Sequence, residues 1–111
     1  MSDSILTSIK KMLGIGEEYE EFDTDIIMDI NTTIAILRQL GVGPQNGYSI
    51  SSKTDKWSDY IEDMALLELV KTYMYFKVRL MFDPPLNGTV VNSMEKQIDE
   101  LEWRMSVALN C

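Results

Sequence analysis

Three carboxylates near the end of this 111-residue chain, Glu95, Asp99 and Glu102, have the types and spacing that could support catalysis. Steps of four and three residues would place them on one face of a helix. Carboxylate oxygens are ligands that Mg²⁺ prefers, and a bound metal ion can activate water. Asp25 and Asp29 repeat the four-residue spacing. Metal-assisted hydrolysis is therefore the first chemistry to consider.

These carboxylates do not form a complete catalytic set. An all-α, Mg-dependent nucleotide hydrolase needs a second acidic pair on a facing helix, whereas Glu18 and Glu21 fall in a predicted loop. The chain has no histidine, which removes the commonest general base and transition-metal ligand. Its only cysteine, Cys111, stands at a terminus prone to fraying. We interpret the acidic face as solvated and predict no metal site, no cofactor and no enzyme activity; the hydrolase remains a minor alternative.

Composition favours one small globular domain over residues 1–111. Hydrophobic residues make up 45% and charged residues 25%, which are ordinary values for a globular chain. No apolar run is long enough to cross a bilayer, so we expect no membrane partner. The net charge is −8 and lysines and arginines are not clustered, which disfavours tight binding to phosphates. An acidic lining would still let DNA slide past, because it repels phosphate.

Hydrophobic periodicity predicts an all-α fold, a small bundle of four main helices plus a short lead-in helix. The first helix is capped by Asp3 or Ser2, the second begins at the cap Asp23, and the lead-in begins at Trp57. The predicted main helices cover about 4–13, 23–40, 66–83 and 89–109. Residues 41–56 form one long Gly/Ser-rich loop, whose length is unusual in so small a domain unless it has a function.

The helix over 66–83 is apolar on most of its circumference, with Tyr75 and Arg79 on a narrow polar strip. We expect other chains to supply the missing cover, which makes Tyr75, Arg79 and Trp57 candidates for contacts between subunits. The last helix has a heptad-like apolar seam, and Trp103 and Val107 lie off that seam as a second apolar edge. Five methionines on apolar seams are predicted as core residues: Met64, Met74, Met81, Met94 and Met105.

The order of these elements resembles the small head–tail connector proteins of long-tailed bacteriophages, also called adaptor or head-completion proteins. The resemblance is carried by FDTDIIMDINTTIAILRQLGVGP, LELVKTYMYFKVRLMFDPP and QIDELEWRMSVA. It implies a virion protein, made in the bacterial host cytoplasm, that forms a ring of usually twelve copies under the capsid portal. The ring would extend the DNA channel, without sequence-specific DNA binding, and join the head to a tailward stopper or tail-completion protein.

The same resemblance implies that the C-terminal segment, residues 102–111, engages the portal protein. We therefore expect portal contacts from Trp103, Arg104, Val107 and Leu109. The 41–56 loop is expected to meet the tailward neighbour, and its candidate residues are Val42, Pro44, Tyr48 and Ile50. A small helical regulatory or interaction protein of phage origin is the alternative, and it would usually stop at a dimer instead of assembling into a ring.

Overall fold

The computed structural model describes residues 3–109, and this part of the chain folds into helices without a β-strand. The helices are α1 (Ile5–Met12), α2 (Asp23–Gln39), α3 (Trp57–Tyr60), α4 (Met64–Phe82) and α5 (Gly88–Leu109). The predicted all-α class is confirmed. Ser2, Asn110 and Cys111 lie outside the described residues. Between residues 3 and 109, no helix is long and apolar enough to span a membrane.

Two predicted helix caps are wrong. Ser4, and not Asp3, caps α1, because its Oγ accepts a hydrogen bond from the Thr7 amide at 3.1 Å. The Asp3 carboxylate instead accepts a 2.6 Å bond from Ser58 Oγ. Asp23 is the first residue of α2 and Phe22 precedes it as the cap position. The Asp23 side chain is used elsewhere, in an ion pair with Lys10.

Helix α4 is the central element of the bundle and packs against α1, α2 and α5. Its buried residues are Leu67, Val70, Tyr73, Met74 and Val78. Most of its other apolar side chains are half-buried against the same core. The expectation that this chain leaves α4 largely uncovered is therefore wrong, since three helices of the same molecule surround it. Unburied apolar surface is concentrated instead at helix ends and on α5.

The methionines divide according to their place along the helices. Met74, Met94 and Met105 are buried, as their seam positions predict. Met64 is 71% exposed and Met81 is 41% exposed, so their assignment to the core is wrong. Met64 opens α4 and Met81 lies in its last turn, where the neighbouring helices no longer cover every side.

Candidate interaction surfaces

The exposed side of α5 near its C-terminal end presents two large apolar side chains. Trp103 is 64% exposed and Val107, one turn later, is 42% exposed. Met105 is fully buried, and in a helix of 3.6 residues per turn Trp103 lies nearly opposite it. We call Trp103 and Val107 the α5 ridge. Its exposure agrees with an apolar edge separate from the seam that packs on α4.

Arg104 and Leu109 do not share this ridge. Arg104 is exposed and pairs with Glu100 one turn earlier, at 2.8 Å. Leu109 lies against the end of α2, where its Cδ1 would be 3.5 Å from a Cβ placed on Gly41. The structure thus brings Trp103 and Val107 together, and separates Leu109 from them on another side of the same helix.

The 41–56 loop is fastened to the bundle. The Asn31 side chain forms two hydrogen bonds with the Ile50 backbone. Its Nδ2 donates to the Ile50 carbonyl at 3.0 Å, and its Oδ1 accepts from the Ile50 amide at 2.7 Å. Tyr48 stacks on Tyr60 with 4.9 Å between ring centroids. Asp55 accepts from two backbone amides within the loop, those of residues 51 and 52.

This anchoring corrects two of the tailward candidates. Val42 is fully buried and Ile50 is 3% exposed, so both belong to the core and neither offers a surface to another protein. Tyr48 is half-buried, while Pro44 is exposed at the turn. Only Pro44 and the open edge of Tyr48 remain as candidates for a tailward contact.

Trp57 is also a core residue, contrary to its assignment as an inter-subunit contact. It is fully buried, and its indole N–H donates to Ser8 Oγ at 3.1 Å, so its polar atom is satisfied inside the molecule. Tyr75 and Arg79 are half-buried on α4. Tyr75 packs on the Phe76 ring, and Arg79 Nε donates to the Asp83 carbonyl. These two side chains stay available at the surface.

Of the carboxylates Glu95, Asp99 and Glu102, at least one takes part in helix packing. Glu102 accepts a 2.8 Å hydrogen bond from the Tyr73 hydroxyl and so joins α5 to α4. Burial, together with this bond, raises the pKa of Tyr73 above its ordinary value. Within residues 3–109, no three histidine, cysteine, aspartate or glutamate residues lie close enough together to hold a metal ion.

Lys10 is a structural residue that the sequence analysis missed. Its side chain is 3% exposed, and its Nζ lies 2.8 Å from Asp23 Oδ1. The same Nζ donates to the backbone carbonyls of Glu17, at 3.1 Å, and Tyr19, at 2.6 Å. A buried ammonium therefore organises the backbone of the acidic loop, although the glutamate side chains there are exposed. The sequence feature that could have indicated this role is the position of Lys10, one turn after the buried Leu6 and shortly before an acidic run.

A second missed feature is an open cavity of about 660 Å³ between the end of α1, the start of α2 and the end of α4. Its walls combine apolar side chains with three carboxylates. We call it the acidic groove, and its lining is Leu13, Ile15, Phe22, Asp25, Met28, Asp29, Met81, Phe82 and Asp83. Met28 falls off the apolar face of α2 and is 62% exposed; its position indicates an exposed apolar residue there but not the groove itself.

A protein-family model matches nearly the whole described fold. Residues 5–110 match the model of a protein family described as phage connector protein. No curated protein and no solved structure matches the chain.

Proposed function

This chain belongs to the phage connector protein family, and from that membership we propose that it forms a ring under the capsid portal. The family makes it a structural phage protein. In the proposed role the ring, of about twelve copies, extends the DNA channel and joins the head to a tailward stopper or tail-completion protein. The observation that carries this proposal is the family match over residues 5–110, because it includes every described helix.

The α5 ridge is our proposed contact with the portal protein. Trp103 is 64% exposed, so much of its apolar side chain is in contact with water. Burying it against a partner would remove this surface from water, which is favourable. Tryptophan is also enriched among the few residues that dominate interface energies. Leu109 and Leu40 expose a further apolar edge where α5 meets the end of α2. Arg104 would contribute at the rim of such a contact.

Contacts between neighbouring copies are proposed for the polar strip of α4. Closed rings use two different patches on each subunit, so one patch must sit away from its complement on the same molecule. Tyr75 and Arg79 are half-buried and carry the aromatic and guanidinium groups that interfaces favour. The tailward contact is proposed at the turn around Pro44, with the open edge of Tyr48.

The charge of the chain suits a channel through which DNA moves. With a net charge of −8 and only ten basic residues, the protein offers DNA few phosphate contacts. Repulsion between carboxylates and phosphates would keep DNA from adhering to the ring. We therefore propose passage of DNA without sequence-specific binding.

The portal contact is tested by exchanging apolar side chains for charged ones. Trp103→Glu is compared with Leu86→Glu, a matched control because Leu86 is fully exposed between helices and away from the ridge. Both variants should keep the helical circular dichroism of the wild type. Trp103→Glu should bind portal-bearing heads at least about tenfold more weakly in co-sedimentation, as expected for an interface anchor. Equal binding of the two variants would contradict the portal assignment.

A further inference from the structure

The floor of the acidic groove is built from aromatic side chains. Phe22, just before α2, and Phe82, at the end of α4, pack edge to face with 5.4 Å between ring centroids. Both rings are half-buried and continuous with the core, so the floor is fixed by the fold. Met28 and Met81 also line the groove and are 62% and 41% exposed. Flexible thioether side chains of this kind adapt to apolar partners of different shape.

The three carboxylates of the groove form no ion pair among residues 3–109. The ion pairs found between residues 3 and 109 join Lys10 to Asp23, Lys71 to Glu68 and Arg104 to Glu100. None of them involves a groove carboxylate, and Arg79 reaches only the backbone carbonyl of residue 83.

Asp25 lies close enough to Asp29 to make ionisation of Asp29 more costly. Burial, and then the nearby Asp25 charge, raise the pKa of Asp29 above its ordinary value. A cation brought into the groove would relieve this repulsion. The rim therefore favours a positively charged occupant over a neutral or acidic one.

Two strongly exposed apolar side chains of a second copy, Trp103 and Met64, do not bring that charge. The exposed Trp103 is flanked by Asp99 and Glu100 on the same side of α5, and Arg104 is already paired with Glu100. The exposed Met64 directly follows Glu62 and Asp63. Docking either of these side chains into the groove would bring carboxylates against carboxylates, which disfavours both of these contacts between copies.

We propose that the acidic groove binds a cationic amphipathic segment of a different protein. Its apolar side chains lie on the Phe22–Phe82 floor between the two methionines, and its lysines or arginines face Asp25, Asp29 and Asp83. A cavity of about 660 Å³ accommodates a few large side chains, so the occupant is a short segment inserted by its partner. In a connector this gives a docking surface separate from the α5 ridge.

The two surfaces are far apart on the molecule. The C-terminal end of α5 meets the C-terminal end of α2, whereas the groove opens at the N-terminal end of α2. The groove extends along α2 as far as Asp29, and the helix continues for about 15 Å beyond that residue before it ends at Gln39. Each surface can therefore be tested by variants that leave the other intact.

The test uses the full chain and a designed helical peptide with leucine and tryptophan on one face and lysine on the other. Methionine methyl resonances report the site directly. We expect peptide-dependent shifts at Met28 and Met81, and none at Met64, which is more exposed but lies outside the groove. Added salt should weaken the binding, because part of it comes from charge. Absence of shifts at the two groove methionines overturns the proposal.

Variants of the groove carboxylates distinguish recognition of charge from non-specific apolar binding. Asp25→Asn combined with Asp83→Asn should weaken binding about tenfold, as expected for two surface ion pairs. Glu95→Gln, an exposed change on α5, is the matched control and should bind like the wild type. A peptide with glutamate in place of lysine should bind far more weakly than the lysine peptide.

Three other outcomes contradict the proposal. Equal binding of the lysine and glutamate peptides would mean that binding depends on apolar contacts alone. If the Asp25→Asn, Asp83→Asn double variant and the Glu95→Gln control bind the peptide equally well, the groove carboxylates do not contribute to binding. Concentration-dependent shifts at Met28 and Met81 without peptide would identify a second copy as the occupant. Failure of the Trp103→Glu prediction would leave this result unchanged, since it concerns the other surface.

Discussion

Replacing Lys10 by methionine tests how the acidic loop is held. Lys10 is buried, and its ammonium makes one ion pair and two hydrogen bonds to backbone carbonyls. Methionine keeps the apolar stem but leaves the carbonyls of Glu17 and Tyr19 without this donor and Asp23 without its counter-charge. The loss of a charged partner from a fully buried pair costs about 3–5 kcal/mol.

The expected cost here is smaller than that for a fully dry pair. Asp23 is 25% exposed, so water solvates part of its charge after the lysine is removed. We therefore expect Lys10→Met to lower the free energy of unfolding by about 2–4 kcal/mol. In a domain whose total stability is about 5–15 kcal/mol, this is a large fraction.

The assay is denaturant unfolding followed by circular dichroism at neutral pH. Lys11→Met is the matched control, because Lys11 is exposed on the same helix and should change stability by less than about 0.5 kcal/mol. Adding Asp23→Asn to Lys10→Met should recover part of the loss, since no unpaired charge then remains. If Lys10→Met and Lys11→Met have equal stability, the reasoning about the buried ammonium is refuted.

Asn31→Ala should free the 41–56 loop: losing two side-chain-to-backbone bonds should lower stability by about 1–3 kcal/mol and speed hydrogen exchange of the Ile50 amide. Thr32→Ala, an exposed neighbour, is the control, and equal exchange rates in the two variants would contradict the anchoring role. Asp29→Asn should stabilise the protein at pH 7. The raised pKa of Asp29 in the folded state means that its contribution to stability is full below about pH 4 and is lost as pH rises through that raised value. The gain in the free energy of unfolding should therefore disappear when denaturant unfolding is measured at pH 3. An equal gain at pH 7 and pH 3 would contradict a raised pKa of Asp29 in the folded state.

The helices were predictable because their signals are local. Apolar spacing of three and four residues placed α2, α4 and α5 within a few residues of their bounds, and glycine at position 41 ended α2 as expected. The cap of α1 was misplaced, because Ser2, Asp3 and Ser4 all suit a cap and only the geometry selects Ser4. Periodicity reports the presence of a helix better than its first residue.

Burial on α4 and in the loop was harder to predict, because it depends on which elements meet in space. A helix that is apolar on most sides has the same sequence pattern whether other copies or the chain's own helices cover it. Trp57, Val42 and Ile50 resembled surface residues because they lie in or beside an irregular segment. That segment is drawn onto the bundle by Asn31, which precedes Ile50 by 19 residues.

The candidate surfaces were predicted in part. Trp103 and Val107 departed from the seam of the last helix, which indicated a second apolar edge but did not decide whether Trp103 is buried or exposed. The acidic groove was not predictable in this way, since its lining comes from three separate stretches of the chain. Asp25 and Asp29 were noticed only as a spacing, and nothing local indicated that Phe82 and Met81 would face them.

We propose that this chain assembles as a ring on the portal, and electron microscopy of the protein mixed with its portal tests this proposal most directly. We predict a closed ring of about twelve copies stacked coaxially on the portal, with its opening continuous with the DNA channel. A protein that stays monomeric or dimeric, and that leaves the portal bare at saturating concentration, would contradict the account.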